Sequence, residues 1–354
     1  MNLLKNYGFN DYFIKEASLY TNYKVARVIS QHKGFYNIVV ENGFFLAQVS
    51  GKFINQVKEK SDYPVVGDFV LVKEVQNTFI IYKILKRRTI LSRTFESNNK
   101  IKQIIATNLD LVFIIMSLNN NYNLNRLERY ITLVFNSGAI PIILLNKEDL
   151  CEDIDVKVNE VKCASMFCDI IHTSIFDTKI KEKIFFYLKS GMSAAFIGSS
   201  GVGKSSIINK LLEDSKIKTR EIGKLDKGRH TTTSSNLFLL SNNSIVIDTP
   251  GMREIYVENE DLTQSFSDIE DLALNCKFND CSHTFEKGCA VINAVNNGLL
   301  DKRRYENYLK LKKEESYSLM NYKEIEMEKH NRMFKDIGGF KNARRYMKHN
   351  DKRK

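Results

Sequence analysis

Residues 198–205, Gly-Ser-Ser-Gly-Val-Gly-Lys-Ser, match the P-loop pattern at all of its fixed positions. The segment follows an apolar, strand-like stretch at 194–197 and precedes a stretch with helical spacing at 206–212. This context matters because glycines let successive backbone N–H groups turn inward at a helix N-terminus, where they bind anions. The alternative, a glycine-rich turn that happens to precede a lysine, leaves that context unexplained. The segment therefore predicts a nucleotide-phosphate site inside an α/β domain.

The chemistry of the phosphate site assigns a role to several side chains. Lys204 is expected to reach the β- and γ-phosphates and to act in catalysis, while the Ser205 hydroxyl binds Mg²⁺. Asp248 ends another apolar strand, at 244–247, and is placed to hold the same Mg²⁺ through water. Gly251 follows it and can direct its N–H at the γ-phosphate. The full predicted set at this site is Gly198, Ser199, Ser200, Gly201, Val202, Gly203, Lys204, Ser205, Ser206, Asp248 and Gly251.

A second motif, Asn-Lys-Glu-Asp at 146–149, ends the apolar stretch 140–145. The Asp149 carboxylate can accept two hydrogen bonds from guanine N1 and N2. Adenine offers no such donor pair and would leave the carboxylate desolvated and unpaired, so the motif favours a GTP site over an ATP site. The next strand ends at a Thr-Ser pair that predicts a second base-side loop. The predicted base-side residues are Asn146, Lys147, Glu148, Asp149 and Ser174.

The order of these motifs is unusual, because base recognition precedes phosphate binding along the chain. Most GTPases have the opposite order, and a circular permutation accounts for the difference, since domain termini often lie close together. Apolar stretches alternate with helical spacing through this region, which indicates a mostly parallel sheet. The strand-like stretches are 111–116, 140–145, 170–174, 194–197 and 244–247.

The region before the nucleotide motifs has the pattern of a small barrel. Five short β-branched and aromatic stretches, separated by turns such as Glu-Asn-Gly at 41–43, occupy residues 24–91. With the basic charge of this region, they favour an OB-fold, and an SH3-like barrel gives the same pattern. Residues 93–103 are polar and are interpreted as a linker. The predicted strands are 25–29, 35–40, 44–49, 68–72 and 79–85.

A cluster of metal-ligand residues follows the nucleotide motifs. Cys276, Cys281, His283 and Cys289 fall within fourteen residues and supply three thiolates and one imidazole. This is the ligand set of a closed, tetrahedral, structural zinc site, so we expect one zinc per chain. The other three cysteines, at positions 151, 163 and 168, have no comparable partners and are expected to be free thiols.

Charge is distributed unevenly around this centre. Residues 1–90 hold 13 Lys and Arg against 7 Asp and Glu, and residues 301–354 hold 17 against 9, while the remainder is slightly acidic. Basic flanks favour contact with a polyanion, although lysine-rich faces also keep proteins in solution. No signal peptide or membrane-length apolar stretch is visible, and the cysteines do not suggest a disulfide framework. We therefore expect a cytoplasmic, monomeric protein that does not enter membranes.

Taken together, these motifs resemble the RsgA (YjeQ) family of circularly permuted GTPases. The resemblance extends to Gly-Arg-His-Thr-Thr-Thr at 228–233 and Pro-Val-Val-Gly-Asp at 64–68. It implies an OB-fold, a permuted P-loop GTPase domain and a C-terminal zinc-binding helical domain. We expect these three domains to span residues 1–92, 93–262 and 263–354, respectively. It also implies GTP hydrolysis to GDP and phosphate, binding to the small ribosomal subunit and its rRNA, late maturation of that subunit, and turnover stimulated by the ribosome.

One position of the nucleotide site departs from the usual GTPase pattern. Met252 stands where many GTPases have a glutamine that orients the attacking water. His230 is a candidate for that role because an imidazole near neutrality can orient water or accept a proton, and Thr231 or Thr232 would cap the γ-phosphate and Mg²⁺. A solvated loop histidine is the alternative. At the level of function, an RNA-binding regulator with GTP as a static ligand is the other possibility, whereas Asp149 disfavours an ATPase or kinase.

Overall fold

The computed structural model describes residues 3–32, 34–76, 78–95, 101–212, 235–249, 261–318 and 327. The chain divides into two compact units. The first comprises Met1–Tyr256 and Thr263–Ser265, and the second comprises Val257–Leu262 and Phe266–Lys354. Within the described ranges, no helix combines the length and the hydrophobicity needed to cross a membrane.

The first unit begins with a closed five-stranded barrel. Two short helices, α1 (Leu3–Asn6) and α2 (Asp11–Ala17), precede the strands β1 (Lys24–His32), β2 (Phe35–Val40), β3 (Gly43–Val49), β4 (Phe69–Val75) and β5 (Thr78–Ile84), with α3 (Gly51–Gln56) between β3 and β4. The strands pair in the cycle β1–β2–β3–β5–β4–β1, and only the β3–β5 pair is parallel. Alternate side chains such as Val28, Ile38 and Val70 fill the interior. The predicted barrel is confirmed.

The segment interpreted as a linker, 93–103, instead contains the end of one β-strand and the start of the next, so that prediction was wrong. Strands β6 (Ile90–Phe95) and β7 (Ile101–Thr107) form a separate antiparallel sheet. Arg93 lies opposite Gln103 and donates two hydrogen bonds to its Oε1, at 3.0 and 3.1 Å. A polar cross-strand pair stabilises these strands without the hydrophobic alternation by which strands are recognised in a sequence.

An α/β sheet follows and has the predicted mostly parallel arrangement. Its elements are β8 (Leu111–Ser117), α4 (Leu124–Ser137), β9 (Ile140–Asn146), α5 (Ile154–Ser165), β10 (Asp169–His172), α6 (Ile180–Tyr187), β11 (Ser193–Ile197), α7 (Lys204–Leu212), β12 (Asn236–Leu239) and β13 (Ile245–Asp248). The strand order is β10-β9-β8-β11-β13-β12, and only β12 runs antiparallel to its neighbour β13. The carboxyl ends of β8, β9, β11 and β13 consequently meet at one edge.

Helices cover both faces of this sheet, which explains why its strands are apolar throughout. Along β8, Val112 and Ile114 pack with α4, whereas Phe113 and Ile115 pack on the opposite face with α6 and α7. Phe113 stacks on Phe196 of β11 with ring centroids 4.9 Å apart. The core of the α/β region therefore consists of two hydrophobic layers, one on each face of the sheet.

Barrel and α/β sheet are continuous within the first unit. Strand β12 pairs with β13 on one side and with β1 on the other, where Asn236 lies opposite Ser30. In β1 of the same barrel, Arg27 is fully buried and donates to the carbonyl oxygens of Tyr7 at 2.6 Å and Gly67 at 3.3 Å. Burial lowers the pKa of Arg27 to about 10, still far above neutrality, so its charge persists and is solvated by backbone carbonyls.

The second unit is helical, as predicted for the C-terminal region. It contains α8 (Ser267–Ala273), α9 (Ala290–Asn296) and α10 (Lys302–Ser318), which enclose Ile269, Val291, Tyr308 and Leu311. The buried Arg304 of α10 binds the carboxylate of Asp268 through two hydrogen bonds, at 2.6 and 2.8 Å. A paired arginine satisfies the requirement that buried charges be neutralised locally.

Candidate functional site

The predicted phosphate-binding loop, residues 198–203, connects β11 to α7 at the carboxyl edge of the sheet. Two of its glycines are required by the space around them. A Cβ on Gly198 would lie 2.5 Å from the carbonyl oxygen of Ile115, and a Cβ on Gly203 would lie 2.2 Å from Asn146 Nδ2. Gly203 also has a φ of 97°, which side chains rarely adopt. Only glycine, which has no Cβ, fits at these two positions of the loop.

Lys204 and Asp248, both predicted residues of the phosphate site, lie at this edge of the sheet. Lys204 is the first residue of α7, and its Nζ donates to the carbonyl oxygen of Thr249 at 2.9 Å. Burial lowers the pKa of Lys204, and the nearby Asp248 carboxylate acts in the opposite direction. Burial raises the pKa of Asp248, and the nearby Lys204 ammonium again acts in the opposite direction. An ammonium and a carboxylate thus face a partly desolvated edge, an arrangement suited to a phosphate and a divalent cation.

The base-side motif lies directly against the phosphate loop. Asn146, at the end of β9, donates from Nδ2 to the carbonyl oxygen of Val202 at 2.7 Å. Its Oδ1 is buried and accepts no hydrogen bond from any residue that the structure describes. Lys147 has a left-handed backbone conformation, with φ 63°, and its Nζ donates to the carbonyl oxygen of Gly201 at 2.8 Å. The two motifs are therefore adjacent in space, although they stand in inverted order in the chain.

The remaining base-side residues differ in their exposure to solvent. Asp149 is open to solvent, whereas Ser174, in the loop after β10, is buried and accepts a hydrogen bond from the Phe176 N–H at 3.0 Å. Glu148 is bound by His172 Nδ1 at 2.7 Å. The arrangement can present one carboxylate to the edge of a planar base while its neighbour is held away.

Two contacts at this site were not expected from the sequence. Asn121, in the loop after β8, donates to the carbonyl oxygen of Ser200 at 3.1 Å and accepts from the Ser199 hydroxyl at 3.3 Å. Lys210 of α7 donates to the carbonyl oxygens of Ile175 and Asp177 at 2.7 and 2.8 Å. Three successive asparagines at the carboxyl end of a buried strand, residues 119–121, were the available signal for the first contact. No local pattern distinguishes Lys210.

Four predicted site residues lie outside the described residues, namely His230, Thr231, Thr232 and Gly251. The other predicted residues of the nucleotide site, including Ser205 and Ser206 in the first turn of α7, all lie in described segments. The roles of the four undescribed residues rest on the sequence.

In the second unit, the four predicted metal ligands converge. The ligand atoms of Cys276, Cys281, His283 and Cys289 all lie within 4.8 Å of one another. The Cys276 and Cys289 sulfurs are 3.8 Å apart and lie 3.6 and 3.5 Å from His283 Nδ1. Tetrahedral zinc with Zn–S bonds of about 2.3 Å needs sulfurs roughly 3.8 Å apart, which matches this spacing. The Tyr305 hydroxyl donates to the carbonyl oxygen of His283 at 2.6 Å and so holds the backbone of this residue in place.

The chain is similar to curated proteins over nearly its whole length. A family model described as RsgA GTPase matches residues 84–258. Small ribosomal subunit biogenesis GTPase RsgA 2 of Lactiplantibacillus plantarum is 41% identical over 336 residues, covering 94% of this chain and 95% of the relative. Small ribosomal subunit biogenesis GTPase RsgA of Methanosarcina acetivorans is 39% identical, covering 93% of this chain and 91% of the relative.

Solved structures have the same architecture. YjeQ from Thermotoga maritima superposes with a TM-score of 0.60 at 27% identity, covering 82% of this chain and 97% of that structure. YloQ, described as a circularly permuted GTPase, also gives a TM-score of 0.60, at 23% identity, covering 85% of this chain and 98% of that structure. The inverted order of the nucleotide motifs thus has a counterpart in a known fold, and the predicted permutation is confirmed.

Proposed function

The chain belongs to the RsgA GTPase family and is a GTP hydrolase, and we propose that it binds the small ribosomal subunit and assists its late maturation. The observation that carries the GTP-hydrolase part of this conclusion is the direct contact between the two nucleotide motifs, while the relatives' names support the ribosomal part. Asn146 and Lys147 hydrogen-bond to the carbonyl oxygens of Val202 and Gly201. A guanine held by the first motif would consequently have its phosphates within the second.

For the nucleotide, we assign guanine recognition to Asp149, with Ser174 as the second base-side residue. The Asn146 Oδ1, which is buried without a donor among the described residues, supplies an acceptor toward the bound nucleotide. The phosphates would lie on the backbone N–H groups of residues 198–206, with Lys204 against the β- and γ-phosphates. In this arrangement Lys204 exchanges the Thr249 carbonyl oxygen for phosphate oxygens.

Magnesium fits the oxygen donors at the phosphate end. The Ser205 hydroxyl and the Asp248 carboxylate are hard ligands of the kind that Mg²⁺ prefers. Burial raises the pKa of Asp248, and a nearby cation would favour its ionised form. When bound, Mg²⁺ neutralises charge that develops on the phosphate oxygens. Ser205 and Asp248 would orient this cation through α7 and β13.

Catalysis is assigned to Lys204, His230, Thr231 and Thr232. Lys204 stabilises negative charge on the transferred phosphoryl group, and one of the two threonines caps the γ-phosphate and Mg²⁺. His230 orients the attacking water, because Met252 has no group that can do so. The support for the last three residues is the sequence together with family membership.

In the second unit we propose one structural zinc held by Cys276, Cys281, His283 and Cys289. The support is the match between the observed sulfur spacing and tetrahedral zinc. With four protein ligands no coordination position remains for a substrate, so the metal would stabilise the helical region rather than react.

The remaining proposals concern organisation and partners. We assign ribosomal RNA binding to the domain at 1–92, GTP hydrolysis to 93–262 and zinc binding to 263–354. The basic charge of both ends supports contact with RNA phosphates, and the relatives' names indicate the small ribosomal subunit. We further propose a monomer that acts in the cytoplasm, where ribosomal subunits mature.

The test is release of inorganic phosphate under multiple turnover, measured with and without purified small subunits. We expect stimulation by subunits, and Lys204→Ala should lower the stimulated rate by about 10²- to 10³-fold. Lys189→Ala, an exposed lysine of the same region, is the matched control and should retain the parent rate.

Cosedimentation with subunits in GTP and GDP tests the switch. We expect tighter association with a non-hydrolysable GTP analogue than with GDP. Equal association in all nucleotide states, together with no stimulated turnover, would show that GTP is only a static ligand.

A further inference from the structure

A groove on the barrel combines tyrosine rings with lysine side chains. It has a volume of about 430 Å³ and lies between α3 and the strands β4 and β5. The groove is large enough for a small planar ligand, since small-molecule sites start at about 300 Å³. The residues that give it its chemistry are Tyr20, Tyr23, Lys52, Phe53, Tyr82 and Lys83.

The tyrosine rings form two neighbouring surfaces, each covered by a lysine. The rings of Tyr23 and Tyr82 lie 5.4 Å apart at 56°, and Lys73 Nζ lies 4.8 and 5.9 Å from their centroids. Lys83 Nζ lies 4.4 Å from the centroid of the Tyr20 ring and also donates to the Tyr20 hydroxyl. Cations and π faces are therefore interleaved along the groove.

The charge of the groove is positive and available to a ligand. Lys52 and Lys83 line the groove, and Lys73 lies over the rings of two lining tyrosines. All three lysines are exposed, and no carboxylate in the part of the chain that the structure describes forms an ion pair with them. Asp62, an acidic residue that lines the groove, accepts hydrogen bonds from the backbone N–H groups of Lys58 and Glu59, at 3.0 and 3.1 Å. Asp62 forms no ion pair with the three lysines among the described residues, so their charge is available to phosphates.

We propose that this groove binds unpaired RNA nucleotides, with bases stacked on Tyr23, Tyr82 and Tyr20 and phosphates held by the three lysines. The inference rests on the proposed function, because it names the RNA feature that the barrel recognises. Bases inside a duplex are already stacked and cannot reach the rings, which selects single-stranded segments. An acidic protein segment would satisfy the lysines but offers no planar group for the tyrosines.

Binding of RNA would replace the lysine ammonium over each tyrosine ring with a nucleotide base. In the free protein an ammonium covers the ring face, a weak interaction at an exposed site. A nucleotide supplies both a phosphate for that ammonium and a base for the ring, and base stacking on an aromatic side chain is the stronger contact. The apolar floor of Phe53 and Leu71 stays covered in both states.

The experiment measures fluorescence anisotropy of a labelled oligouridine of about ten nucleotides, a length within the range that one OB-fold covers. Tyr23→Leu/Tyr82→Leu should weaken binding about tenfold or more, because stacking is lost at two rings. Tyr23→Phe/Tyr82→Phe keeps both rings and should bind nearly as well as the parent. Lys73→Gln should reduce the slope of log K against log salt by about one unit.

Lys52→Glu/Lys83→Glu changes only exposed side chains and provides a second variant if the leucine variant fails to fold. It should also weaken oligouridine binding, while basal GTP hydrolysis and thermal unfolding match the parent. The inference is overturned if both double variants bind oligouridine as the parent does, or if duplex RNA or polyglutamate binds the parent as tightly and loses affinity in the same variants.

The same set of proteins distinguishes failure of the groove assignment from failure of the proposed function. If the parent shows subunit-stimulated hydrolysis and oligouridine binding is unchanged in the variants, only the groove assignment fails. If the variants lose oligouridine but the parent shows no stimulation by subunits, only the proposed function fails.

Discussion

Asn146 donates a hydrogen bond to the carbonyl oxygen of Val202 at 2.7 Å, and this contact joins the base-side motif to the phosphate-binding loop. The contact is close enough that a Cβ on the neighbouring Gly203 would lie 2.2 Å from the same amide nitrogen. Loops that hold each other in place before a ligand arrives lose less conformational freedom on binding. The relation between these two residues therefore makes the glycine a sensitive position for nucleotide affinity.

We predict that Gly203→Ala lowers GTP affinity by at least about 100-fold, because Asn146 must move and the backbone φ of 97° is unfavourable for alanine. Affinity is measured by titration with a fluorescent GTP analogue. Gly201→Ala is the matched control, since Gly201 also has a positive φ but its Cβ would enter open space. It should cost only the backbone strain, roughly tenfold or less. Equal effects of the two substitutions would contradict the packing argument.

Asp149→Asn tests base recognition. We expect weaker GTP binding and a relaxed preference for GTP over xanthosine triphosphate, because an amide can donate to the xanthine oxygen but cannot accept two guanine donors. Competition between the two nucleotides against a fluorescent analogue gives the ratio directly. Glu148→Gln, in which the altered carboxylate is bound to His172, should retain the guanine preference. Unchanged GTP affinity in Asp149→Asn would refute the assignment.

The sequence predicted those parts of the fold that local pattern determines. Barrel strands such as Phe35–Val40 and buried strands such as Leu111–Ser117 were located within a few residues, because alternating or continuous apolar residues report burial directly. The P-loop was recognisable because its glycines and lysine are required by phosphate geometry. The metal cluster was recognisable because its ligand types are rare and close in sequence.

What the sequence did not reveal depends on how strands pair. The antiparallel pair of Ile90–Phe95 and Ile101–Thr107 includes the polar cross-strand pair Arg93–Gln103, which carries no hydrophobic signal. The pairing of Ser30 with Asn236 joins the barrel to the sheet through one antiparallel contact between distant strands. The bracing of the phosphate loop by Asn121 is likewise visible only once the sheet edge is assembled.

The metal site gives a prediction about stability. Apparent binding free energies of structural zinc are about 10–16 kcal/mol, comparable to the whole stability of a domain at about 5–15 kcal/mol. We therefore expect one zinc per chain in protein purified without added metal, and loss of zinc together with unfolding of the helical unit in Cys281→Ala. Cys163→Ala, at an exposed free cysteine, is the control and should keep the metal.

Metal content is measured by atomic emission, and helical unfolding by circular dichroism. Nucleotide binding should survive in Cys281→Ala, because the nucleotide motifs belong to the other compact unit. Absence of zinc from the parent protein would end the claim.

The basic flanks give a prediction about salt. Binding to the small subunit should fall steeply with salt, because RNA contacts release counterions, while GTP binding changes less. Removal of a whole flank would delete β1, which pairs with β12, or α10, so single charge substitutions are the better test. Lys310→Gln should reduce the salt slope by about one unit, whereas Lys179→Gln, in the acidic centre, should not. A flat salt dependence of the parent would argue against a phosphate-dominated interface.

The water-positioning role of His230 is the most demanding prediction. Met252 cannot orient water, so intrinsic turnover should be slow, and docking on the subunit would bring His230 to the γ-phosphate. We expect His230→Ala to leave GTP affinity and subunit binding largely intact and to lower the subunit-stimulated rate by about 10²-fold or more, the usual contribution of a general base. His230→Gln should recover part of that rate, because an amide can still orient water although it cannot accept its proton. Single-turnover hydrolysis on the subunit measures the chemical step without product release. A rate in His230→Ala equal to that of the parent would remove the assignment and direct attention to Arg229 or to a group of the ribosome.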